Sequence, residues 1–252
     1  MTAATTGDQR PDIRMRTRGR DWGRAVAAFQ KLMADKEDTS QVFAIMHALD
    51  GDACKVAYAR LLATPDGGRI TYERGELSEK LMDPKWRASF PPGSVGAAYV
   101  DFLETEHLSA AGMIDESHKG IPPAELERHH PYAWIFRRVR DLHDIWHVLT
   151  GYSRDALGEM CLVAFSYQET RGLGWALISA GGFMRAHGPG AWKARKAILE
   201  ARRRGRRAAW LPGEDYEKVL MEPLEDARRR LGLTPPLAYQ AVPVELRNMT
   251  II

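Results

Sequence analysis

The step Thr150-Gly151 separates two stretches of helical spacing, and that separation constrains the fold of this chain more than any other feature. On its amino-terminal side Ile135, Phe136, Val139, Leu142 and Leu149 recur at the intervals of one apolar helix face. This helix begins near Tyr132 and stops at Gly151, a residue suited to the left-handed turn that ends helices. Ser153 is placed to cap a second helix from Arg154 to about Thr170. With so short a connection, the two helices are expected to pack antiparallel.

The first of these helices carries His143-Asp144-Ile145-Trp146-His147. Residues four apart stand one turn apart and roughly 40° around the helix, so both imidazoles face one point and Asp144 lies on the same arc. On the second helix Glu159 lies about as far from the turn as His147 does, which sets it opposite the histidines. Two imidazoles and two carboxylates suit a divalent metal: zinc, iron, manganese or cobalt. The neighbours Leu142, Ile145, Trp146, Val148 and Leu149 indicate burial, and burying such groups unpaired costs several kcal/mol. A metal satisfies all four ligands; a hydrogen-bonded core network is the competing reading. His47, His107, His118 and His187 stand alone, and His129-His130 precedes Pro131 in a loop.

Three arginines, Arg137, Arg138 and Arg140, precede His143 by one to two turns. Guanidinium groups there can receive a carboxylate or phosphate, or form a solvated basic face. Arg140, three residues from His143, is the preferred candidate.

The rest of the chain reads as helices separated by Pro- and Gly-rich breaks. Trp22, Val26, Phe29, Leu32 and Met33 form one apolar stripe, a second helix covers about Thr39 to Ala48, and a third covers Cys54 to Leu62. Arg69 to Glu73 reads as a short extended piece, and Ser78 to Leu81 is ambiguous. A helix from Ser94 carries Val95, Tyr99, Phe102 and Leu103. The stretch holding Gly172, Gly174, Gly181 and Gly182 reads as irregular, and a basic helix from Ala191 to Trp210 follows it. A last helix is expected from Asp215 to Leu231, acidic at its start and ending in Arg228-Arg229-Arg230, as the helix dipole favours. Seven or eight helices and few strands define an all-α class: a tail over residues 1–20, disordered by composition, then one helical domain over 21–252. An organellar presequence is the alternative for the tail, but Asp8, Pro11 and Asp12 argue against the basic amphipathic helix it would need.

Composition narrows the function classes. At 252 residues, 44% hydrophobic and 27% charged, the chain suits one large folded domain rather than a fibre or a chain disordered throughout. Its two cysteines, Cys54 and Cys161, form no C-x-x-C pair, so zinc-finger, thioredoxin and disulfide-framework readings lack support and a reducing intracellular setting fits. No apolar run reaches the roughly 18 residues of a transmembrane helix. The basic helix with Arg202, Arg203, Arg206 and Arg207 suits an anionic membrane surface or plain solvent; no recognised motif supports nucleic acid.

The run His143-Asp144-x-x-His147, then eleven residues, then Glu159 resembles the signature of the fourth Coq protein family of ubiquinone (coenzyme Q) biosynthesis. Phe90-Pro91-Pro92-Gly93-Ser94-Val95-Gly96-Ala97-Ala98-Tyr99 and His147-Val148-Leu149-Thr150-Gly151 resemble that family's segments, as do Arg204-Gly205-Arg206-Arg207 and Arg230-Leu231-Gly232-Leu233. The likeness runs patchily from Trp22 to Leu233. Val139-Arg140-Asp141-Leu142 departs from the family's Tyr-Arg-Glu-like step, which bears on the substrate more than on the metal.

The resemblance implies an all-helical peripheral membrane protein with a zinc-type site beside an isoprenoid-binding cavity. It implies metal-dependent, oxidative decarboxylation of a polyprenylated 4-hydroxybenzoate-derived ring, with His143, Asp144, His147 and Glu159 as metal ligands and catalytic groups. Arg140, Arg137 and Tyr99 are then the expected substrate-binding residues, and Met160, Val163, Ala164 and Tyr167 candidates for the tail's channel. Other ubiquinone-biosynthesis enzymes, the membrane surface and an isoprenoid lipid are the expected partners, with a homodimer left open. The expected location is the inner membrane's cytoplasmic or matrix-facing side, or the cytoplasm. Two rivals stand beside this reading: a non-catalytic lipid-binding scaffold and an HD-type phosphohydrolase recruiting His107 or His118.

Overall fold

Helical spacing, capping residues and helix breakers account for nearly every element of the computed structural model, which describes residues 19–35, 38–127 and 129–249. The expected tail therefore lies, but for Gly19 and Arg20, outside the described residues. In chain order the helices are α1 (Trp22–Ala34), α2 (Ser40–Leu49), α3 (Ala53–Leu62), α4 (Gly67–Glu73), α5 (Leu77–Met82) and α6 (Pro84–Arg87). Then come α7 (Val95–Thr105), α8 (Ala110–Gly120), α9 (Pro123–Leu126), α10 (Pro131–Thr150), α11 (Ala156–Thr170) and α12 (Leu173–Arg185). The chain continues through α13 (Ala191–Arg207), α14 (Tyr216–Val219), α15 (Leu224–Arg230), α16 (Leu237–Gln240) and α17 (Val244–Met249). The class is all-α in one domain, without a strand among the described residues.

More helices form than the expected seven or eight, because several breaks close into helices of one or two turns. Arg69 to Glu73 is helical rather than extended. The β-branched Ile70 and Thr71 suggest a strand, but Ile70 packs beside Trp134 and Ile135, and the Thr71 hydroxyl donates to Gly67 O at 2.6 Å. The expected last helix divides at Pro223, whose missing N–H and steric bulk end one helix and start another. The segment between uses its carbonyls: Leu220 O and Glu222 O accept the free N–H groups of Gly96 and Val95 at the start of α7. The basic helix ends at Arg207, because Trp210 turns inward to donate from Nε1 to Glu169 O at 2.7 Å.

The stretch expected to be irregular between Gly172 and Gly182 is the helix α12. Its glycines serve close packing: a Cβ at Gly174 would come within 2.7 Å of Met46 Cα on α2. At the centre α11 buries Leu157, Cys161, Leu162, Val163 and Phe165, with α13 and α12 packed against it. One large core gathers α7, α10, α11, α13 and the carboxy-terminal helices; a second lies among α1, α2, α11 and α12. Both cysteines are buried and free.

Candidate metal centre

The candidate ligands owe their positions to the two ends of one turn. His130 Nδ1 accepts the Tyr132 N–H at 3.2 Å and Pro131 opens α10, so the His129-His130 loop becomes a helix cap. At the other end Gly151 has φ +76°, in the left-handed region, and its N–H donates to His147 O. The free carbonyls of the last turn are covered by two arginines. Arg228 donates to Val148 O and Leu149 O at 2.7 and 3.1 Å, and Arg204 donates to Thr150 O at 2.9 Å. The cap of α11 is Asp155 rather than Ser153, its Oδ1 accepting the Gly158 N–H at 2.8 Å. Four residues further along, Glu159 comes back against the histidines.

His143, Asp144 and His147 each offer a ligand atom within 4.8 Å of the others. Glu159 joins them: Oε1 stands 3.4 Å from His147 Nε2, and Oε2 stands 3.8 Å from His143 Nε2. His147 Nδ1 lies 2.9 Å from Tyr152 O. A carbonyl only accepts, so Nδ1 carries the hydrogen and Nε2 presents its lone pair to the cluster. The ring is held by Phe102, stacked at 5.4 Å between centroids, and Trp175 lies beside His143. Burial alone opposes the charge on His147, but the Glu159 carboxylate outweighs it and raises the imidazole above its ordinary value. Burial likewise opposes ionisation of Glu159, yet His147, His143 and Arg154 hold its carboxyl at about 2.

A divalent metal fits these residues. His147 is 1% exposed, and its Nε2 has no hydrogen-bond partner, Glu159 Oε1 coming to 3.4 Å without forming one. A buried nitrogen left bare and surrounded by another imidazole and two carboxylates is a donor set that a cation completes.

Three of the four, His143, Asp144 and Glu159, line a cavity of about 770 Å³. Its walls are mainly apolar, with Phe136, Val139, Met160, Val163, Trp175 and Ile178 between α1, α2, α10, α11 and α12. Of the four residues expected along the channel, Met160 and Val163 line it, whereas Ala164 belongs to the main core and Tyr167 packs against the second. Arg140 reaches the wall with its guanidinium held by Asp141 Oδ1 at 2.7 Å and Ser117 Oγ at 3.1 Å. Arg137 is held by Glu76 at 2.6 Å and by Leu126 O, off the cavity wall. Arg138 donates to the backbone of Pro212 and Glu214. Tyr99 is buried behind the cluster; burial and the charges of Asp144 and Asp141 push its phenol above the ordinary value. His118 pairs with Glu127 at 2.8 Å, and neither it nor His107 joins the cluster.

Arg154, which sequence reasoning passed over, reaches the cluster instead. Its Nε lies 3.5 Å from Glu159 Oε1, and its side chain lines the cavity with 38% exposure. Its place five residues before Glu159 was the available signal. Trp175 was hidden by the glycines around it.

The chain matches the family described as coenzyme Q (ubiquinone) biosynthesis protein Coq4 over residues 24–237. It is 29% identical to the mitochondrial ubiquinone biosynthesis protein COQ4 homolog of Bos taurus over 75% of this chain and 69% of the relative. Against the Homo sapiens homolog, also mitochondrial, identity is 28% over 75% of this chain and 69% of the relative. The mitochondrial coq-4 protein of Neurospora crassa is 27% identical over 70% of this chain, which spans 48% of that relative's length. A crystal structure of a ubiquinone-biosynthesis candidate from Nostoc punctiforme PCC 73102 shares the fold, with TM-score 0.63 and 19% identity over 86% of this chain and all of the other. With its signature residues gathered at one site and most of its length matched, the chain belongs to the Coq4 family of coenzyme Q biosynthesis proteins.

Proposed function

We propose that this chain holds one divalent metal, zinc or alternatively iron or manganese, on His143, Asp144, His147 and Glu159. There it acts in the oxidative decarboxylation of a polyprenylated 4-hydroxybenzoate-derived ring. One observation carries the reading: the bare Nε2 of His147 stands opposite Glu159, which with His143 and Asp144 lines a largely apolar cavity. The ring sits at the cluster and the polyprenyl tail lies along Phe136, Val139, Met160, Val163 and Trp175, where burial of each methylene contributes about 0.8 kcal/mol.

Arg154 and Arg140 supply positive charge at the ring end, and Arg154, whose ion pair among the described residues is the 3.5 Å contact with Glu159, receives the ring carboxylate. Tyr99 and Arg137 support the wall behind the cluster and the helix that carries it. When bound, the metal supplies Lewis-acid stabilisation of charge on the ring's oxygen substituents. Loss of carbon dioxide leaves an electron pair on the ring carbon; dioxygen then supplies the hydroxyl oxygen, and an external two-electron reductant with two protons converts its second oxygen atom to water. Residues around the cavity exclude water from that carbon.

The outward cations of α13, with exposed Trp192 and Leu199, suit docking on an anionic membrane from which such a lipid is drawn. Other enzymes of the pathway are the proposed protein partners. Among the described residues no helix is long and apolar enough to cross a membrane.

A second reading has its own support. Four protein ligands resemble a closed structural site, and then the chain organises lipid and partner enzymes without catalysis. Incubating metal-loaded protein aerobically with a polyprenylated 4-hydroxybenzoate derivative separates the two. Decarboxylated, hydroxylated product supports the enzyme; tight binding without turnover supports the scaffold.

A further inference from the structure

Beyond the candidate metal ligands the cavity runs inward along α10 and α11. Of the residues on its wall, Arg154, Arg185 and Asn248 are exposed, whereas Cys54, Ile135 and Glu169 are buried, so the first group marks a mouth and the second a floor. His143 and Glu159 stand between the two. Ile135 precedes His143 by eight residues of α10, and Glu169 follows Glu159 by ten of α11. At about 1.5 Å per residue, the depth from ligands to floor is about 12–15 Å. Over that depth the wall is hydrocarbon, from Val139, Met160, Val163, Trp175 and Ile178. At the floor it is not, because Glu169 and Asp50 bring carboxyls to the wall there. Both are already engaged: Glu169 accepts the Leu211 N–H at 2.9 Å, and Asp50 accepts the Cys54 S–H at 3.3 Å. Hydrocarbon pressed against such groups removes water from them and offers no hydrogen bond in return, so an apolar tail gains along the wall and stops gaining at the floor.

Two measures set how much tail that depth holds. An extended chain advances about 3.3–3.6 Å for every three main-chain bonds, so the four bonds of an isoprene unit take about 4.6 Å and the depth holds about three units. Volume gives the same figure. At about 30 Å³ for each packed non-hydrogen atom, the share of one water in its liquid, 770 Å³ takes about 25 atoms. A 4-hydroxybenzoate ring with its substituents uses about ten of them, which leaves about fifteen carbons, again three units. We propose that the site recognises the ring and no more than about three isoprene units of its tail, so that further units gain nothing from the cavity. Ala57 of α3 lines the cavity at its floor, packed against the core that holds Cys54 and Ile135, and its small side chain leaves room for the third unit. This rests on the reading that the cavity holds a prenylated ring.

Tryptophan-fluorescence titration of the purified full chain with 4-hydroxybenzoates carrying tails of one to five isoprene units, each kept below its micelle-forming concentration, tests the ceiling. Each unit up to the third is expected to tighten binding about tenfold or more, because its five carbons leave water, and the fourth and fifth to change it less than about twofold each. Ala57→Phe is expected to remove the gain from the third unit while binding the two-unit compound within about twofold of the unaltered protein, with circular dichroism confirming the helical fold. A gain that continues at the same rate through the fourth and fifth units overturns the proposal, and so does a folded Ala57→Phe protein that keeps the gain from the third. If that variant does not fold, the series on the unaltered protein decides. Equal affinity for the bare ring and for every prenylated compound removes the prenylated-ring reading beneath it as well.

Discussion

Two residues of α11 show how far position decides the behaviour of one chemical group. Glu159 is held ionised by two histidines and Arg154, whereas Glu169, ten residues on, is held neutral by burial. A carboxyl whose folded pKa lies above its unfolded value favours the native state while both states are protonated. That advantage is lost as pH rises from about 4.5, where the unfolded chain ionises, to about 8, where the folded one does. Urea midpoints measured across this window should fall with pH in the unaltered protein, and fall less in Glu169→Gln; parallel curves would refute the assignment. Gly151 gives a second expectation at this scale. Its φ of +76° strains any L side chain, so Gly151→Ala should lower stability by about 1–2 kcal/mol in equilibrium unfolding.

At the scale of elements, the ligands depend on how α10 ends and α11 begins. The helical spacing before Gly151, the glycine itself and the return of Glu159 were legible in the sequence, because each obeys a local rule. The cap was legible only in kind, since Asp155 takes the place that Ser153 also suits. The arginines covering the end of α10 were not legible, because Arg204 and Arg228 lie more than fifty residues further along the chain. Arg228→Ala uncovers two carbonyls and should cost about 2 kcal/mol of stability. It should also weaken metal binding, as the turn that carries His147 frays; titration with zinc beside thermal melts checks both. The extended reading of Ile70 and Thr71 fails for a related reason: β-branched side chains favour strands locally, but packing against Trp134 and Ile135 decides.

For the whole molecule, the fold gathers four candidate ligands, three of them on the wall of a cavity that residues of eight helices line. The all-α class follows from periodicity, but the cavity does not, since its walls meet only after α1, α2 and α12 close over α10 and α11. That is why Met160 and Val163 were foreseeable as lining while Trp175 was not. Filling the span with Val163→Trp should leave the metal in place and remove lipid that copurifies with the protein, as read by mass spectrometry of organic extracts. The central claim is that His143, Asp144, His147 and Glu159 hold a metal, and elemental analysis of protein purified without a histidine tag tests it most directly. About one zinc, iron or manganese per chain is expected in the unaltered protein, with its loss in His147→Ala while the helical circular-dichroism signal is kept. The same metal content in both proteins, or none in either, would contradict it.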